Sequence, residues 1–546
     1  MPYDGLVTRN ICNELSSLLL EGKIDKIIQP NKDETLLFIR NNRVTYKLLL
    51  SANAENARVH ITEIKNIENP LKPFNFCMVL RKYLLGAKLI NIYQPNNDRI
   101  INFTFENSNE LGDKETKILI IEMMGKHSNI ILTSETSTII DSIHHIDFEI
   151  SSVREVMPGR KYILPPSQDK LNPFSIKKSD FDSILKSNDK LSSHFIGICT
   201  LVSNSLNISS FDDFTNFINQ KAKPVVLIDN NIPKDFYFID LPINYEKKYF
   251  ESLSQAIDYF YTYKIQNKKI ESAKNELAHI VSKLVSKYEK NLDIVNKKIE
   301  STKDMEELRI EGELLSSNLY KVKPFDKEIT LDNYYTGEKI TLPLNPNLTA
   351  SQNLQNIFKK YNKLKNTLSA CSKQKEELTS SLSYFESLFY EIYTQKYIED
   401  LEEIKLELTE QGIIKKSTKK QKEIPSKPLE FDISNYKVLI GKNNIQNDNL
   451  TFHTASKTDI WFHVKNAPGS HTILRLNNTN IDNVSYETLS IVASLAAYHS
   501  KLKNSPKVEV DYTLVKNVKK IPGAKPGMVI YENYKTLYVK PLEKLN

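Results

Sequence analysis

Two long stretches with a helical repeat, residues 254–318 and 349–408, constrain the fold of this chain more than any other feature. In both, apolar residues recur mostly at steps of four and three, the pattern of a helix that packs along its length against a partner helix. They are Leu277, Val281, Leu284, Tyr288, Leu292, Val295 and Ile299 in the first stretch, and Ile357, Tyr361, Leu364, Leu368, Cys371, Leu378, Leu382, Phe385, Phe389 and Ile392 in the second. At about 1.5 Å per residue, each helix would be on the order of 90 Å long. Because the stretches flank a compact insert at 313–348, we expect an antiparallel hairpin arm at 251–412 rather than a homodimeric coiled coil.

The composition predicts a multidomain protein of the cytoplasm. A chain of 546 residues has room for about three to five domains, and its net charge of +7 weakly indicates anionic partners. The four cysteines, Cys12, Cys77, Cys199 and Cys371, have no metal-ligand spacing and are expected to be reduced thiols. The N-terminus has no signal-peptide pattern, and no apolar run approaches the ~20 residues of a membrane span. We therefore expect no membrane segment, no metal and no cofactor.

An internal repeat organises residues 1–170. Residues 9–38 align without gaps on residues 74–103, with twelve of thirty positions identical, and a weaker echo pairs residues 48–62 with 119–133. Each copy has the pattern of a helix, a strand, a Pro-Asn turn and another strand. This predicts a pseudo-symmetric α+β domain in which two helix-plus-sheet halves pack as a sandwich.

The two copies differ at one charged position. Asp33 and Asp98 occupy the same place in the two turns, where an Asp side chain commonly accepts a hydrogen bond from nearby backbone. The next residue is Glu34 in the first copy and Arg99 in the second. This charge reversal indicates that only the second half contacts an anionic partner. The alternative is a surface ion pair between Asp98 and Arg99.

A polar loop between two apolar strands lies in the second copy. Its sequence, EMMGKHSN at 122–129, mixes hydrogen-bond donors and acceptors around one glycine, which suits nucleic-acid bases and phosphates. An ordinary polar hairpin is the alternative. The candidate contact residues are Glu122, Met123, Lys126, His127, Ser128 and Asn129.

Two connecting regions follow. Residues 171–250 predict short helices at 179–185, 194–206 and 210–221, then strands at 225–228 and 236–239. With Gly197 between helical pieces, this resembles a helix-hairpin-helix or helix–turn–helix unit, although a purely structural connector fits equally. After the arm, residues 413–428 form a lysine-rich stretch, expected to be a flexible linker that could also touch RNA phosphate.

Residues 429–546 predict an α+β domain. Strands are expected at 436–440, 450–453, 459–464, 472–476, 508–515 and 537–539, a helix at 485–501, and a polar loop at 441–448. The loops collect lysines, histidines, asparagines and one tryptophan, a mixture typical of RNA-contacting modules. For His463 and His471, a core or turn role is the alternative. The candidate RNA-contacting residues are Lys442, Asn443, Asn444, Trp461, His463, Lys465, His471, Lys516, Lys519 and Lys520.

Motifs along the whole chain resemble the NFACT family, which includes the fibronectin-binding-protein-A-like bacterial proteins. MPYDGL, QPNNDR and EMMGKHSNIIL are similar to the family's N-terminal domain, GELLSSNLY and LPLNPNLTASQN to its arm, and GKNNIQNDNL, DIWFHVKNAPGSHTIL and KNVKKIPGAKPGMVIY to its RNA-binding domain. One departure is Tyr3, where the family usually has Phe.

This resemblance implies a role in ribosome-associated quality control. Bacterial members bind a large (50S) ribosomal subunit obstructed by peptidyl-tRNA, recruit alanyl-tRNA (tRNA-Ala) and direct template-free addition of alanines that marks the nascent chain for degradation. The family's tRNA-engaging Asp-Arg pair maps to Asp98 and Arg99, and its tRNA-proximal hairpin maps to residues 122–129. The resemblance also implies a small S4-domain partner of the RqcP type and a monomer on the ribosome. Because the ribosome makes the peptide bond, no catalytic residue is expected.

Two other functions remain open at this point. A DNA glycosylase would use Pro2 as its nucleophile, but Tyr3 stands where that class has an acidic residue, and the usual zinc finger is missing from the sequence. A surface adhesin that binds fibronectin would need export, for which the sequence offers no signal peptide or anchor.

Overall fold

A computed structural model describes residues 3–65, 67, 69–108, 113–166, 169–187, 189–416, 426–477, 480–520 and 522–543. The chain divides into two compact units, Met1–Asn267 and Lys268–Asn546. Pro2 of the glycosylase alternative lies outside the described residues, as do Lys419, Lys420 and Lys422 of the predicted basic linker.

The first unit is built around one antiparallel sheet. Among the described residues its nine strands run in the order β4-β3-β2-β1-β5-β6-β7-β8-β9. The helices are α1 (Gly5–Leu19) and α2 (Asn75–Leu84), and the strands are β1 (Lys23–Asn31), β2 (Glu34–Asn41), β3 (Val44–Ser51), β4 (Arg58–Ile61), β5 (Lys88–Tyr93), β6 (Ile100–Ser108), β7 (Lys114–Glu122), β8 (Asn129–Ser134) and β9 (Ile139–Ser142). The helix, strand, turn and strand predicted for each copy are confirmed.

The two repeat copies meet edge to edge, which corrects the predicted sandwich of two packed halves. The β1 and β5 edges pair through backbone hydrogen bonds, including Ile24 N to Ala87 O (3.1 Å) and Leu89 N to Gly22 O (2.9 Å). Strand edges carry unpaired backbone groups, and pairing them with each other joins both halves into one sheet. From this junction the strands follow in the same sequence outward in each direction.

Alternation of apolar residues buries one face of this sheet under the helices. Leu37 and Ile39 on β2, and Phe103 and Phe105 on β6, are fully buried in the same core as α1 and α2. Asp4 begins α1 because its Oδ1 accepts a hydrogen bond from Val7 N at 2.9 Å, the usual N-cap arrangement.

The rest of the first unit adds short helices and a small sheet. They are α3 (Lys178–Ser187), α4 (Leu191–His194), α5 (Thr200–Ser205), α6 (Phe211–Ile218), β10 (Val225–Asp229), β11 (Ile232–Tyr237) and β12 (Glu246–Tyr249). The helix predicted at 194–206 is wrong because Gly197, at φ +78°, breaks it into α4 and α5. The Gly197 carbonyl accepts hydrogen bonds from Gly5 N and Leu6 N, so the break seats the start of α1.

The arm consists of α7 (Leu253–Glu300), α8 (Met305–Ser317), β13 (Glu328–Asp332), β14 (Lys339–Pro343), α9 (Ala350–Thr394) and α10 (Ile398–Glu410). The Tyr288 and Phe385 rings stack with centroids 5.3 Å apart, and Gly312 lies against the Phe358 ring, so the two legs run antiparallel. Each leg, predicted as one helix, is interrupted, at residues 301–304 and 395–397. The tip insert is the β13–β14 hairpin, which packs Leu331 and Leu342 against α8.

The C-terminal domain has a six-stranded antiparallel sheet within its described residues, in the order β15-β16-β18-β17-β19-β22. Its elements are β15 (Leu429–Ile433), β16 (Tyr436–Ile440), α11 (Asn444–Asn449), β17 (Ile460–Val464), β18 (Thr472–Arg475), α12 (Tyr486–Tyr498), β19 (Val508–Leu514), β20 (Val518–Lys519), β21 (Ile530–Tyr531) and β22 (Lys535–Val539). The strand predicted at 450–453 is wrong: Leu450–Thr454 is a π-helical turn that continues α11. The predicted loop at 441–448 contains α11, which Asn443 begins by accepting a hydrogen bond from Gln446 N at 2.9 Å.

Candidate nucleic-acid interface

The turn that carries Arg99 is held in a defined conformation. Asn96 and Asn97 adopt left-handed φ values of 51° and 55°, and Asp98 Oδ1 accepts a hydrogen bond from Arg99 N at 2.7 Å. Gln94 Nε2 donates to the carbonyls of Asp98 (2.8 Å) and Gly5 (2.9 Å). The half-buried Arg99 side chain makes no hydrogen bond or ion pair with any residue that the structure describes, so the alternative Asp98–Arg99 pair does not form.

The polar loop of the second copy lies directly beside this turn. Met123 N donates a hydrogen bond to the Arg99 carbonyl at 2.8 Å. The loop closes through Ser128, whose Oγ donates to the Gly125 carbonyl (2.7 Å) and accepts from Met124 N (2.9 Å). The single helical turn Gly125–His127 therefore holds Lys126 and His127 exposed, next to the Arg99 backbone.

Four residues predicted to contact RNA here are buried instead. Glu122, Met123, Ser128 and Asn129 are at most 2% exposed, which leaves no surface for a ligand. Glu122 forms an ion pair with Arg154 and accepts a hydrogen bond from Tyr162 Oη at 2.8 Å. These four side chains support the loop, and Lys126 and His127 remain for direct contact.

His144 links the loop to the other repeat copy. Its Nε2 lies 3.1 Å from Asp33 Oδ1, and its Nδ1 lies 3.1 Å from the Ser128 carbonyl. Asn129 Nδ2 also donates to the His144 carbonyl at 2.8 Å. His144, Arg154 and Tyr162 were not predicted as part of this site, because each reaches the loop from at least fifteen residues away in the sequence.

In the C-terminal domain, three candidate residues attach α11 to the arm. Lys442 forms an ion pair with Asp400 on α10, and both side chains are largely buried. Asn443 Nδ2 donates to Glu403, and Asn444 N donates to Glu391 Oε2 at 3.3 Å. The direct RNA contact predicted for these residues does not fit their burial, and the Lys442 and Asn443 side chains are already bound by acids of the arm.

Trp461, His463 and His471 form a buried aromatic cluster. Trp461 is fully buried. Its ring is nearly parallel to the His463 ring, with the centroids 5.6 Å apart, and meets the His471 ring edge-on, with the centroids 5.2 Å apart. Burial lowers the pKa of His463, and burial with the neighbouring His463 lowers the pKa of His471 to about 3. Both imidazoles are therefore neutral at physiological pH. The alternative of a core histidine holds for His471, which is 2% exposed.

The four remaining candidate lysines lie on the surface. Lys465 pairs with Glu509 (3.7 Å), Lys519 with Glu532 (3.3 Å), and Lys520 with Asp448. Lys516 is exposed and has no acidic partner among the described residues. Exposed ion pairs contribute little to stability, on the order of 0–1 kcal/mol, so these lysines can exchange their acids for phosphate.

Two further classes of site were considered for the described part of the chain. It contains no group of three or more His, Cys, Asp or Glu side chains arranged to hold a metal ion. None of its helices has the length and hydropathy to cross a membrane.

Comparisons with known proteins cover the whole chain. The family model described as NFACT N-terminal and middle domains matches residues 4–427, and that of the NFACT protein RNA binding domain matches residues 429–533. A Streptococcus pneumoniae protein named Rqc2 homolog RqcH is 37% identical over 100% of this chain and 98% of its own length. A Bacillus subtilis protein with the same name is 36% identical over 99% of this chain and 98% of its own length. A similar solved structure is the N-terminal part of the fibronectin/fibrinogen-binding protein from Streptococcus suis, which is 37% identical. The match covers 47% of this chain and 98% of that structure's chain, with a TM-score of 0.44.

Proposed function

The chain belongs to the NFACT family, and from this premise we propose that it is a ribosome-associated quality-control factor. It binds a 50S subunit obstructed by peptidyl-tRNA, recruits alanyl-tRNA and directs alanine tailing of the stalled chain. Full-length relatives named Rqc2 homolog RqcH support this role.

One observation carries the tRNA-binding part of the proposal. The Met123–Arg99 backbone hydrogen bond joins the Arg99 turn to the loop that exposes Lys126 and His127, and the Arg99 guanidinium has no partner among the described residues. In the first copy the equivalent residue is Glu34, which is already paired with Arg58 at 3.1 Å. At this position of the turn the second copy thus has an unpaired cation where the first has a paired acid, and a guanidinium fork matches phosphate oxygens.

The chain itself supplies binding and positioning in this account. Arg99, Lys126 and His127 hold the tRNA backbone, while Asp98 fixes the turn and Glu122 and Asn129 fix the loop. The lysines of the C-terminal domain contribute RNA phosphate contacts, and an S4-domain protein of the RqcP type assists on the subunit. The ribosome forms each peptide bond, and the factor acts there as a monomer.

A stalled reporter tests this function directly. In cells that lack the protein, wild-type chain should restore C-terminal alanine tails on a reporter without a stop codon, read by mass spectrometry. Arg99→Ala should reduce tailing at least about tenfold, because one charge-assisted contact to phosphate contributes roughly 1.5–3 kcal/mol. Arg40→Ala, an exposed arginine of the first copy, should tail normally. Normal tailing by Arg99→Ala would remove Arg99 from the tRNA site, and no alanine tails with wild-type protein would contradict the function.

A further inference from the structure

One exposed face of α7 carries a line of lysines. Its members recur at steps of three and four, so that they are neighbours along the helix surface. They line a shallow groove of about 510 Å³ and are His279, Ser282, Lys283, Ser286, Lys287, Lys290 and Asn291. At about 1.5 Å of rise per residue, this set, the α7 lysine face, extends over roughly 18 Å of the arm.

The three lysines of this face have no partner within the described chain. Their side chains are exposed and make no ion pair or hydrogen bond with any residue that the structure describes. No acid occurs at residues 277–288 of α7. Asp293, which lies one turn beyond Lys290, is paired with Lys297 at 2.7 Å. All three ammonium groups are therefore available to a ligand.

The spacing of these lysines works against the helix. Like charges three or four residues apart on a helix repel each other, and Lys283, Lys287 and Lys290 have these spacings. Other charged pairs at these spacings on the arm combine a base with an acid, as in Lys274–Glu271, Lys297–Asp293 and Lys303–Glu300. The α7 lysine face is thus a concentration of positive charge that an external anion would compensate.

The uncharged members of the face select the kind of anion. Ser286 and Asn291 place a hydroxyl and an amide beside the lysines, and the described residues that line the groove include no apolar side chain, aromatic ring or acid. A protein partner would need an apolar centre to its interface. Lysine, serine and asparagine side chains are instead typical contacts of nucleic-acid phosphates. Without a ring on which a base could stack, such contacts are independent of base sequence.

The opposite side of α7 holds the helix in the arm. Leu277 and Val281 are buried in a core shared with α9, and the Tyr288 ring stacks on Phe385. An RNA strand can therefore lie along the α7 lysine face without separating the two helices.

We propose that the α7 lysine face binds the phosphate backbone of a structured RNA, either ribosomal RNA or tRNA. This inference rests on the proposed RNA-binding function and goes beyond it by adding a site on the arm. Lys283, Lys287 and Lys290 each neutralise one phosphate, and Ser286 and Asn291 donate hydrogen bonds to phosphate oxygens.

The salt dependence of RNA binding counts these phosphates. The full-length protein is titrated with a fluorescein-labelled RNA hairpin at a series of KCl concentrations, and fluorescence anisotropy is followed. Combining Lys283→Gln, Lys287→Gln and Lys290→Gln should lower the slope of log affinity against log salt by about 2 to 3, because each neutralised phosphate of a duplex contributes about 0.9. Affinity at about 0.1 M KCl should fall at least about tenfold.

A matched control removes the same charge from scattered positions of the arm. Lys269, Lys298 and Lys373 are exposed and have no ion pair among the described residues. Their combined replacement by Gln should change the slope by about 1 or less. An unchanged slope in the first triple variant, or an equal loss in both, overturns the α7 site alone. No RNA binding by the wild-type chain overturns the proposed RNA-binding function as well.

A cross-linker on the face identifies what binds there. Ser286→Cys is coupled to azidophenacyl bromide, mixed with purified large ribosomal subunits and tRNA, and illuminated. Wild-type protein treated in the same way gives the background from its own four cysteines. Adducts to RNA above this background, assigned to ribosomal RNA or tRNA by sequencing, support the inference. Adducts to protein alone, or no adducts while the subunit is bound, overturn it.

Discussion

At the scale of residues, the chain buries two carboxyl groups in different surroundings, one beside a cation and one beside a neutral hydroxyl. Glu122 has a cation, Arg154, and a hydroxyl donor, Tyr162, so its charge is compensated. Glu407 is also fully buried, but it accepts a hydrogen bond from neutral Tyr384 Oη at 2.6 Å and lies close to a second buried acid, Glu391. A buried carboxylate without a cation favours its protonated form.

Glu407 should therefore make stability depend on pH. Burial raises its pKa from 4.5 to about 7, so the folded chain retains a proton that the unfolded chain releases, and stability falls as pH rises from about 4.5 to 7. Glu407→Gln should raise the free energy of unfolding by about 3 kcal/mol at pH 8 and leave it nearly unchanged at pH 4.

The measurement is urea unfolding at both pH values, with Glu402→Gln as the exposed control on the same helix. Equal effects of Glu407→Gln at pH 4 and pH 8 would show that folding leaves the pKa of Glu407 unchanged and would contradict the prediction.

At the scale of elements, Gly197 explains why the helical region was predicted incorrectly. A Cβ at this position would lie 2.6 Å from the Asn97 carbonyl oxygen and 2.9 Å from Gly5 Cα. The residue is needed because the Arg99 turn and the start of α1 both approach it closely. Such an approach comes from elements distant in sequence, and the pattern of residues 194–206 carries no sign of it.

Gly197→Ala should destabilise the first unit more than a comparable glycine change. Gly159 has the same backbone conformation, φ +81°, with no atom within 4 Å of an added Cβ. We expect Gly159→Ala to cost about 1 kcal/mol through backbone strain alone, and Gly197→Ala to cost at least about 2 kcal/mol more through steric overlap. Hydrogen exchange of the α1 amides measures the difference, and equal exchange in both variants would contradict the tight contact.

The other elements could be predicted from the sequence where local residues determine them, and could not where distant residues do. The helix, strand, turn and strand of each copy were predictable because periodicity and turn residues act over a few positions. The pairing of β1 with β5 could not be predicted in this way. The two strands have similar sequences, and which strands pair is decided only in the assembled sheet.

In the candidate site, too, contacts from residues distant in sequence could not be predicted. Arg99, Lys126 and His127 could be identified because a repeat comparison and a polar loop expose them. The burial of Glu122 and Asn129 depends on Arg154, Tyr162 and His144, which fold back from later in the chain. Likewise, Lys442 and Asn443 resemble RNA-contacting residues in sequence, but acidic side chains of α10 bind them.

At the scale of the whole molecule, each unit carries cationic side chains that we propose to contact RNA. They are Arg99, Lys126 and His127 in the first unit and the surface lysines of the C-terminal domain in the second. The antiparallel arm is a long helical element with a small tip hairpin, a shape that fits the proposed work along a ribosomal subunit. In the function proposed here, the chain recruits tRNA on that subunit through Arg99.

Sequencing of RNA recovered with the tagged protein, beside sedimentation on a sucrose gradient, tests this claim most directly. Wild-type protein should co-migrate with large subunits and enrich tRNA-Ala. Arg99→Ala should lose the tRNA enrichment, while Arg40→Ala should keep it. Recovery without ribosomal RNA or tRNA, or full tRNA-Ala enrichment in Arg99→Ala, would contradict recruitment of tRNA through Arg99.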